Sequence, residues 1–391
     1  MLENTATQAH KIKYALRMEK QRDTKEEDRF GGSAGNWPGE GDMFPPEGDM
    51  EFQAGVEFYT DASMNGTQFN GFKQKTAELP AVSNIAVKGY VRGLERILLA
   101  GLGYASVKGP DNGTHRFIIP PQGRNQREYT AEEKALLGSA AHKPGDLVNV
   151  YLCVSQALGP YARHARNVII KDFEISCSAK SPLQITASGP AERIDYEPSK
   201  ESVKKWDAAL GDFPPNVYQM SDFEVFFGYD KASVTEFSLK ISHGLSEDNV
   251  PTGTSNGGLS RAEPMPSGKS AITLDITVYL HDKAVYEDWM NNQEKLFIRI
   301  EGNRGAHKFM MLLPMAQVTN AQPNFDGAGS TQLTLEACWP TDADGRRQLE
   351  NSGFDLGAWG FAQESVLGIV YAGPLDMNRN PMRDMEVTGG L

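Results

Sequence analysis

Cysteine is scarce, and long apolar runs are missing. The three cysteines in 391 residues are Cys153, Cys177 and Cys338. Their odd number and wide spacing cannot build a disulfide framework and fit folding in a reducing compartment. No stretch reaches the roughly 18 apolar residues that a membrane-spanning helix needs. Residues 1–29 are polar and dense in charge, without the apolar segment of a secretory leader. Positive charge is in deficit as well: 39 Lys and Arg against 51 Asp and Glu give 39 − 51 = −12, with a pI near 5.2. Nonspecific nucleic-acid binding needs a basic face. These absences argue against a disulfide-stapled secreted scaffold, a helical membrane protein and a DNA-coating protein.

Catalytic signatures are missing too. There is no Walker A loop and no HExxH pair. Gly101-Leu102-Gly103 lacks the third glycine of a dinucleotide fingerprint and closes a helix instead of opening one. Gly327-Ala328-Gly329-Ser330 has the wrong glycine spacing for a nucleophile elbow. Asp342-Ala343-Asp344-Gly345 is a fragment of a calcium loop without its remaining ligands, and reads as a turn. None of the seven histidines (His10, His115, His142, His164, His243, His281, His307) falls in metal-ligand spacing. Carboxylates abound, but no pattern selects a catalytic pair. The expectation is no cofactor, no metal, no catalytic residue and no enzymatic activity.

What the chain does have is turn material, 39 Gly and 22 Pro, between short alternating segments. Ser270 to Leu280 places Ile272, Leu274, Ile276, Val278 and Leu280 on one face and Thr273, Asp275, Thr277 and Tyr279 on the other. Such period-two patterning with β-branched residues predicts a half-buried strand. Val234 to Ser242 repeats it, with Phe237, Leu239 and Ile241 inside and Glu236, Ser238 and Lys240 outside. Leu296–Glu301 and Lys308–Leu313 flank Gly302-Asn303-Arg304-Gly305 and predict a hairpin. Gln332 to Cys338 alternates again, and Cys177 falls in an apolar set where it acts as a small hydrophobe. Helices are few: Leu94 to Leu102, stopped by Gly103, then Lys283 to Asn292 and Ser199 to Leu210.

The organisation divides into five stretches. Residues 1–50 are an N-terminal arm, partly extended. Within it His10 to Arg29 is either a short helix or disordered, and Gly31 to Met50 repeats Glu-Gly-Asp-Met. Residues 51–198 form a first β module with an insertion near 122–166. Residues 199–220 connect to a second β module at 221–340, and residues 341–391 extend it. The two modules share an order: strand, short helix, strand ending in proline, alternating strand. Ile85–Val91, Leu94–Leu102, Arg116–Pro120 and Phe173–Ala187 answer to Ala271–Leu280, Lys283–Asn292, Phe309–Pro314 and Thr331–Cys338. That order predicts an internal duplication. The loop Ser242 to Lys269 is too long for a hairpin turn, and loops of that length in a compact domain tend to carry function or to be disordered.

The order of elements from Asp222 to Pro340 resembles the tail tube (major tail) proteins of tailed bacteriophages. The resembling series is VTEFSLKISHGL, a Gly/Ser/Pro loop, SAITLDITVYL, KAVYEDWMN, LFIRIEG, FMMLLP and STQLTLEACW. Residues 51–198 are similar to the same module less clearly. The resemblance implies a mainly β fold of tandem β-sandwich or barrel modules with short flanking helices and extended terminal arms. It implies a structural virion protein that self-assembles into stacked rings around a channel for genome ejection, folded and assembled in the host cytoplasm. Its partners would be itself, in trimeric pseudo-sixfold or hexameric rings, and other tail proteins at the tube ends, with DNA passing through unbound. The loop carrying Ser246, Glu247, Asp248, Arg261 and Glu263 would reach the next ring. The outward sets of the alternating strands, Glu174, Ser176, Glu236, Asp275, Thr277 and Glu336, would face the lumen. Alternatives are a distal tail or baseplate-hub ring protein, a β-sandwich carbohydrate-binding module and a hydrolase with dispersed carboxylates. The scattered Trp206, Trp289, Trp339 and Trp359 do not form the aromatic cluster a carbohydrate site would want.

Overall fold

Period-two patterning turns into strands wherever one face of the segment finds a core. The computed structural model describes residues 12–19, 43–44, 50–60, 73–91, 93–108, 114–119, 151–158, 161–198, 216–228, 230–245, 251–255, 258–261, 268–279, 295–324, 329–338 and 366–372. In the first half these form β1 (Ile12–Glu19), β2 (Met43–Phe44), β3 (Glu51–Gln53), β4 (Val56–Thr60), β5 (Lys73–Glu78) and β6 (Ala81–Lys88). Helix α1 (Glu95–Leu102) follows, then β7 (Tyr104–Lys108), β8 (Thr114–Ile119), β9 (Tyr151–Leu158), β10 (Tyr161–Val168), β11 (Asp172–Ser178), β12 (Ser181–Pro190) and β13 (Arg193–Pro198). The second half has β14 (Phe223–Phe227), β15 (Asp230–Ala232), β16 (Val234–Ser242), β17 (Pro251–Ser255), β18 (Gly258–Arg261) and β19 (Ala271–Tyr279). It ends with β20 (Lys295–Arg304), β21 (His307–Asn324), β22 (Ser330–Ala337) and β23 (Leu367–Ala372). The protein is mainly β, and its sheets are antiparallel throughout.

One sheet of fourteen strands runs through both halves in the order β15-β14-β20-β21-β22-β19-β16-β11-β12-β6-β3, with β23, β8 and β7 branching from β21. The halves meet where β11 pairs with β16, from Asp172 opposite Ser242 to Ser178 opposite Glu236. A second sheet has the order β13-β10-β9-β1-β2, and β4–β5 and β17–β18 are separate hairpins.

β21 is the hinge of the large sheet. Its residues 308–312 pair with β23, and its residues 316–324 pair with β22. Between them lies Pro314, where the ladder to β20 breaks register between Leu296 and Ile298. Proline lacks an N–H, so it is tolerated where the ladder is already interrupted, and a strand that bends there passes from one layer to another. The expected strand ending at Pro314 therefore continues for ten more residues. The two wings close on an apolar interior in which Phe223 of β14 meets Phe237 of β16 edge-on, 5.2 Å between centroids. Phe309 and Tyr218 pack beside them. Each fully buried side chain of this size contributes roughly 1.5–3 kcal/mol of burial free energy.

Helix α1 is buried along its whole length. Gly103 ends it in the left-handed conformation (φ 90°), its N–H reaching the Leu99 carbonyl at 2.8 Å. The helix touches the second half as well: His243 Nε2, just past β16, donates to the Gly101 carbonyl at 2.6 Å.

Several expectations change. Within His10 to Arg29, residues 12–19 are strand β1, not helix. Tyr14, Leu16 and Met18 are buried, as is Ala15, and all eight residues pair with β9. Residues 151–166 of the expected insertion supply β9 and most of β10, so that part is sheet. Phe173 to Ala187 is two strands, because Ser178 Oγ accepts the N–H groups of Lys180 and Ser181 and turns the chain there. The hairpin turn expected at 302–305 tightens to Gly305-Ala306, with Gly305 at φ 62°. Candidate helices 199–210 and 283–292 lie outside the described residues.

Candidate functional site

The alternation that buries Ile175, Leu239, Ile276 and Leu335 turns the intervening side chains to the opposite face of the large sheet. The register aligns these polar residues in rows. One row runs Glu174, Lys240, Thr273, Glu336, and the next Ser176, Ser238, Asp275, Thr334. A third runs Ser178, Glu236, Thr277, Gln332. Glu174, Ser176, Glu236, Asp275, Thr277 and Glu336 thus share one face across four adjacent strands. Side chains from β11, β12, β16, β19 and β22 line one open depression of about 340 Å³ on this face.

Hydrogen bonds run along the rows and between the first two. Ser238 Oγ donates to Glu174 Oε1 at 2.7 Å, Thr277 Oγ1 to Glu236 Oε1 at 2.7 Å, and Thr334 Oγ1 to Asp275 Oδ1 at 2.8 Å. Lys240 Nζ donates to Asp275 Oδ2 at 3.0 Å, and Ser242 Oγ to Asp172 Oδ1 at 2.8 Å. The bond to Asp275 holds the Lys240 ammonium above the usual lysine range, against a smaller opposing effect of burial. On these five strands the face carries Asp172, Glu174, Glu236, Asp275 and Glu336 against Lys240, so −5 + 1 = −4. On the core side Cys177 is pushed up to about 12 by burial, which leaves it an inert thiol.

The face ends in two open edges. Among the described residues no further strand pairs outside β3, and residues 318–324 of β21 pair on one side only, with β22. β3 is held from behind. The Arg163 guanidinium lies 4.3 Å over the Phe52 ring, Arg163 Nε donates to Gln156 Oε1 at 2.6 Å, and Gln156 Nε2 donates to Tyr14 Oη at 3.2 Å. Burial lowers the Arg163 pKa from its ordinary value.

Sequence reasoning missed a polar cluster inside the five-stranded sheet. Ser155 Oγ and His164 Nδ1 are 2.7 Å apart, Cys153 Sγ lies 3.5 Å from Ser155 Oγ, and Arg166 Nε bonds Asp195 Oδ2 at 3.2 Å. Ser155 and His164 are 0% and 3% exposed, so a substrate does not reach them, and the arrangement reads as packing. The residues lie on three different strands, and only the pairing of β9, β10 and β13 collects them. Among the described residues no group of His, Cys, Asp and Glu is placed to hold a metal ion, and no helix is long and apolar enough to cross a membrane.

Of the loop residues, Arg261 is the last residue of β18, opposite Pro251. Ser246, Glu247, Asp248 and Glu263 lie outside the described residues, as do Trp206, Trp289, Trp339 and Trp359.

A family model described as phage tail tube protein matches residues 45–337. No curated protein matches the chain.

Proposed function

The chain belongs to the phage tail tube protein family, a family of structural components of the virion tail, and from that premise we propose that it self-assembles into rings that stack into a tube for genome ejection. The polar face of the large sheet lines the channel. The observation that carries this reading is a continuous, net-acidic sheet face with a depression lined from five strands, bounded by two strand edges that no further strand covers among the described residues. An open edge is a template for another strand, and closure of the sheet across subunits removes it. Symmetric closure makes one ring from identical chains. With two modules per chain, three chains supply a pseudo-sixfold ring. The loop 242–269, which contains the β17–β18 hairpin, makes the contact to the next ring through Ser246, Glu247, Asp248, Arg261 and Glu263. Other tail proteins meet the two ends of the tube.

The protein's part is passive on this reading, with no bond made or broken. Concentrated purified protein viewed by negative-stain electron microscopy tests it. Hollow tubes whose end-on views show a ring with a central channel are the expected result. Single rings that never stack would point to a distal tail or baseplate part. A chain that stays monomeric in the presence of tail-tip components would refute the reading.

A further inference from the structure

The junction between the halves of one chain supplies a pattern against which the two outer edges can be compared. Laterally, the first half runs β3-β6-β12-β11, and the second runs β16-β19-β22-β21. Along the chain each set is built in the same sequence. β3 leads through the β4–β5 hairpin to β6, as β16 leads through the β17–β18 hairpin to β19. Later in each half, β11 turns back into β12 as β21 turns back into β22. Strand by strand, β3 corresponds to β16, β6 to β19, β12 to β22 and β11 to the second part of β21.

The ladders align residue by residue. Ile185 opposite Val87 matches Leu333 opposite Ile276, both pairs buried. Phe52 opposite Val82 matches Ile241 opposite Ile272. Phe173 opposite Ala187 matches Val318 opposite Leu335. Inside the chain, β11 of the first set pairs with β16 of the second, with Phe173 opposite Ile241 and Glu174 opposite Lys240. The corresponding strands at the far ends are β21 and β3, and among the described residues each has a side that no strand pairs.

We propose that β21 of one chain pairs antiparallel with β3 of the next, in the register that β11 and β16 already use. This rests on the ring-forming reading above and adds which surfaces meet. Transferring the register puts Val318 opposite Phe52 of the next copy, both on the apolar side like Phe173 and Ile241. On the polar side Asn320 comes opposite Glu51, where the internal junction has Glu174 opposite Lys240. The contact is heterologous: one patch meets a different patch, so chains add head to tail until the rotation closes. An Asn320 amide facing the Glu51 carboxylate supplies a donor to an acceptor, and both residues are exposed in the single chain. The Arg163 platform under Phe52 holds the short β3 in place before a neighbour arrives, which lowers the ordering cost of pairing.

Directly opposed strand residues have β-carbons about 4.5–5.5 Å apart, close enough for a disulfide after slight adjustment. Assembled protein carrying Phe52→Cys with Val318→Cys should therefore give covalent chain oligomers on oxidation. Either substitution alone, or Phe52→Cys with Gln322→Cys, three ladder positions away and on the opposite face, should not. Because both positions help packing, an exposed pair provides the second arm. Asn320→Asp sets two carboxylates opposite each other and should raise the concentration needed for assembly about three- to fivefold. Adding Glu51→Lys should restore it. Tubes that form without the cross-link, and without rescue by the charge swap, would overturn this pairing and leave the tube reading standing. A wild-type chain that never self-associates would sink both.

Discussion

Reversing charge on the polar face gives the sharpest test of which side of the sheet faces the channel. Asp172, Glu236 and Glu336 suit the change, because none lies directly opposite Lys240 in the ladders. Replacing all three by lysine takes the face from −4 to −4 + 6 = +2. The structural cost is small. Glu236 gives up the Thr277 hydroxyl and Asp172 the Ser242 hydroxyl, both at exposed positions where water replaces the lost partner. At about 0.5–1 kcal/mol each, the loss is about 1–2 kcal/mol, against a typical stability of roughly 5–15 kcal/mol. The triple variant should therefore fold and assemble. Three lysines per chain meeting phosphates correspond to a salt slope of about −2.7, so that doubling the salt weakens binding about sixfold. Fluorescence anisotropy of a short labelled linear duplex, titrated with assembled tubes, reads this directly. Wild-type tubes should leave the duplex free, and the variant should retain it at low salt. Closed circular DNA cannot thread a tube, so lysines inside the channel should not retain it. Variant tubes that hold closed circular DNA as well as the linear duplex would place these residues on the outer surface and refute the assignment.

Three further outcomes are expected. Deleting residues 253–264 should leave a folded subunit that forms rings but stacks poorly, and tubes of normal length in electron micrographs would refute the role of that loop. Gly189→Ala should destabilise the chain by about 3 kcal/mol, because its β-carbon would sit 1.9 Å from the Ile169 carbonyl oxygen; an unchanged denaturation midpoint would show that the β12 backbone yields freely. The pKa of Lys240 is raised by the Asp275 hydrogen bond. The stabilisation is thus fully present below the ordinary lysine value and lost as pH rises through the raised one. Lys240 is 55% exposed, so the effect should stay under about 1 kcal/mol. Asp275→Asn should remove that alkaline dependence from urea denaturation curves, and a variant that keeps it would point to another group.

The strands most legible in the sequence were those with one wet face and one dry face. β16 and β19 have unbroken alternation, because each faces the core with branched or aromatic residues and the open side with Thr, Ser and charged groups. In the structure the polar residues of these strands fall in rows on one face. β21 was harder, because Phe309 to Ala316 is buried at every position and so lacks a period. A proline in that run suggested an end, where the pairing partners instead change around it. β1 was hidden for a different reason: three alternating apolar residues are too few to separate strand from helix, and the β9 strand that decides the matter is more than a hundred residues away. The cluster around Ser155 and His164 carried no local signal at all, since its spacing exists only across strands.

On the proposed reading, acidity alone does not explain a surface past which DNA slides. Two unit charges 4 Å apart in water interact by only about 1 kcal/mol, and physiological salt screens them beyond about 8 Å. A hydroxyl or ammonium left free would hold a phosphate at least as strongly as a distant carboxylate repels it. The pairing pattern addresses this. Ser238, Thr277, Thr334 and Ser242 each spend a hydroxyl hydrogen on a carboxylate, and Lys240 is directed to Asp275. A hydroxyl has one hydrogen to give, so once it is given inward the group shows the channel lone pairs only. A passing phosphate, itself an acceptor, then meets acceptors and like charge together. Repulsion is short-ranged, and these five donors that would hold the phosphate are already directed to carboxylates. It follows that Glu174→Ala and Asp275→Ala, which free Ser238, Thr334 and Lys240, should make DNA stick more than the loss of one charge apiece accounts for. Glu336→Ala, which removes the same charge but frees no hydroxyl or ammonium among the described residues, should have the smaller effect.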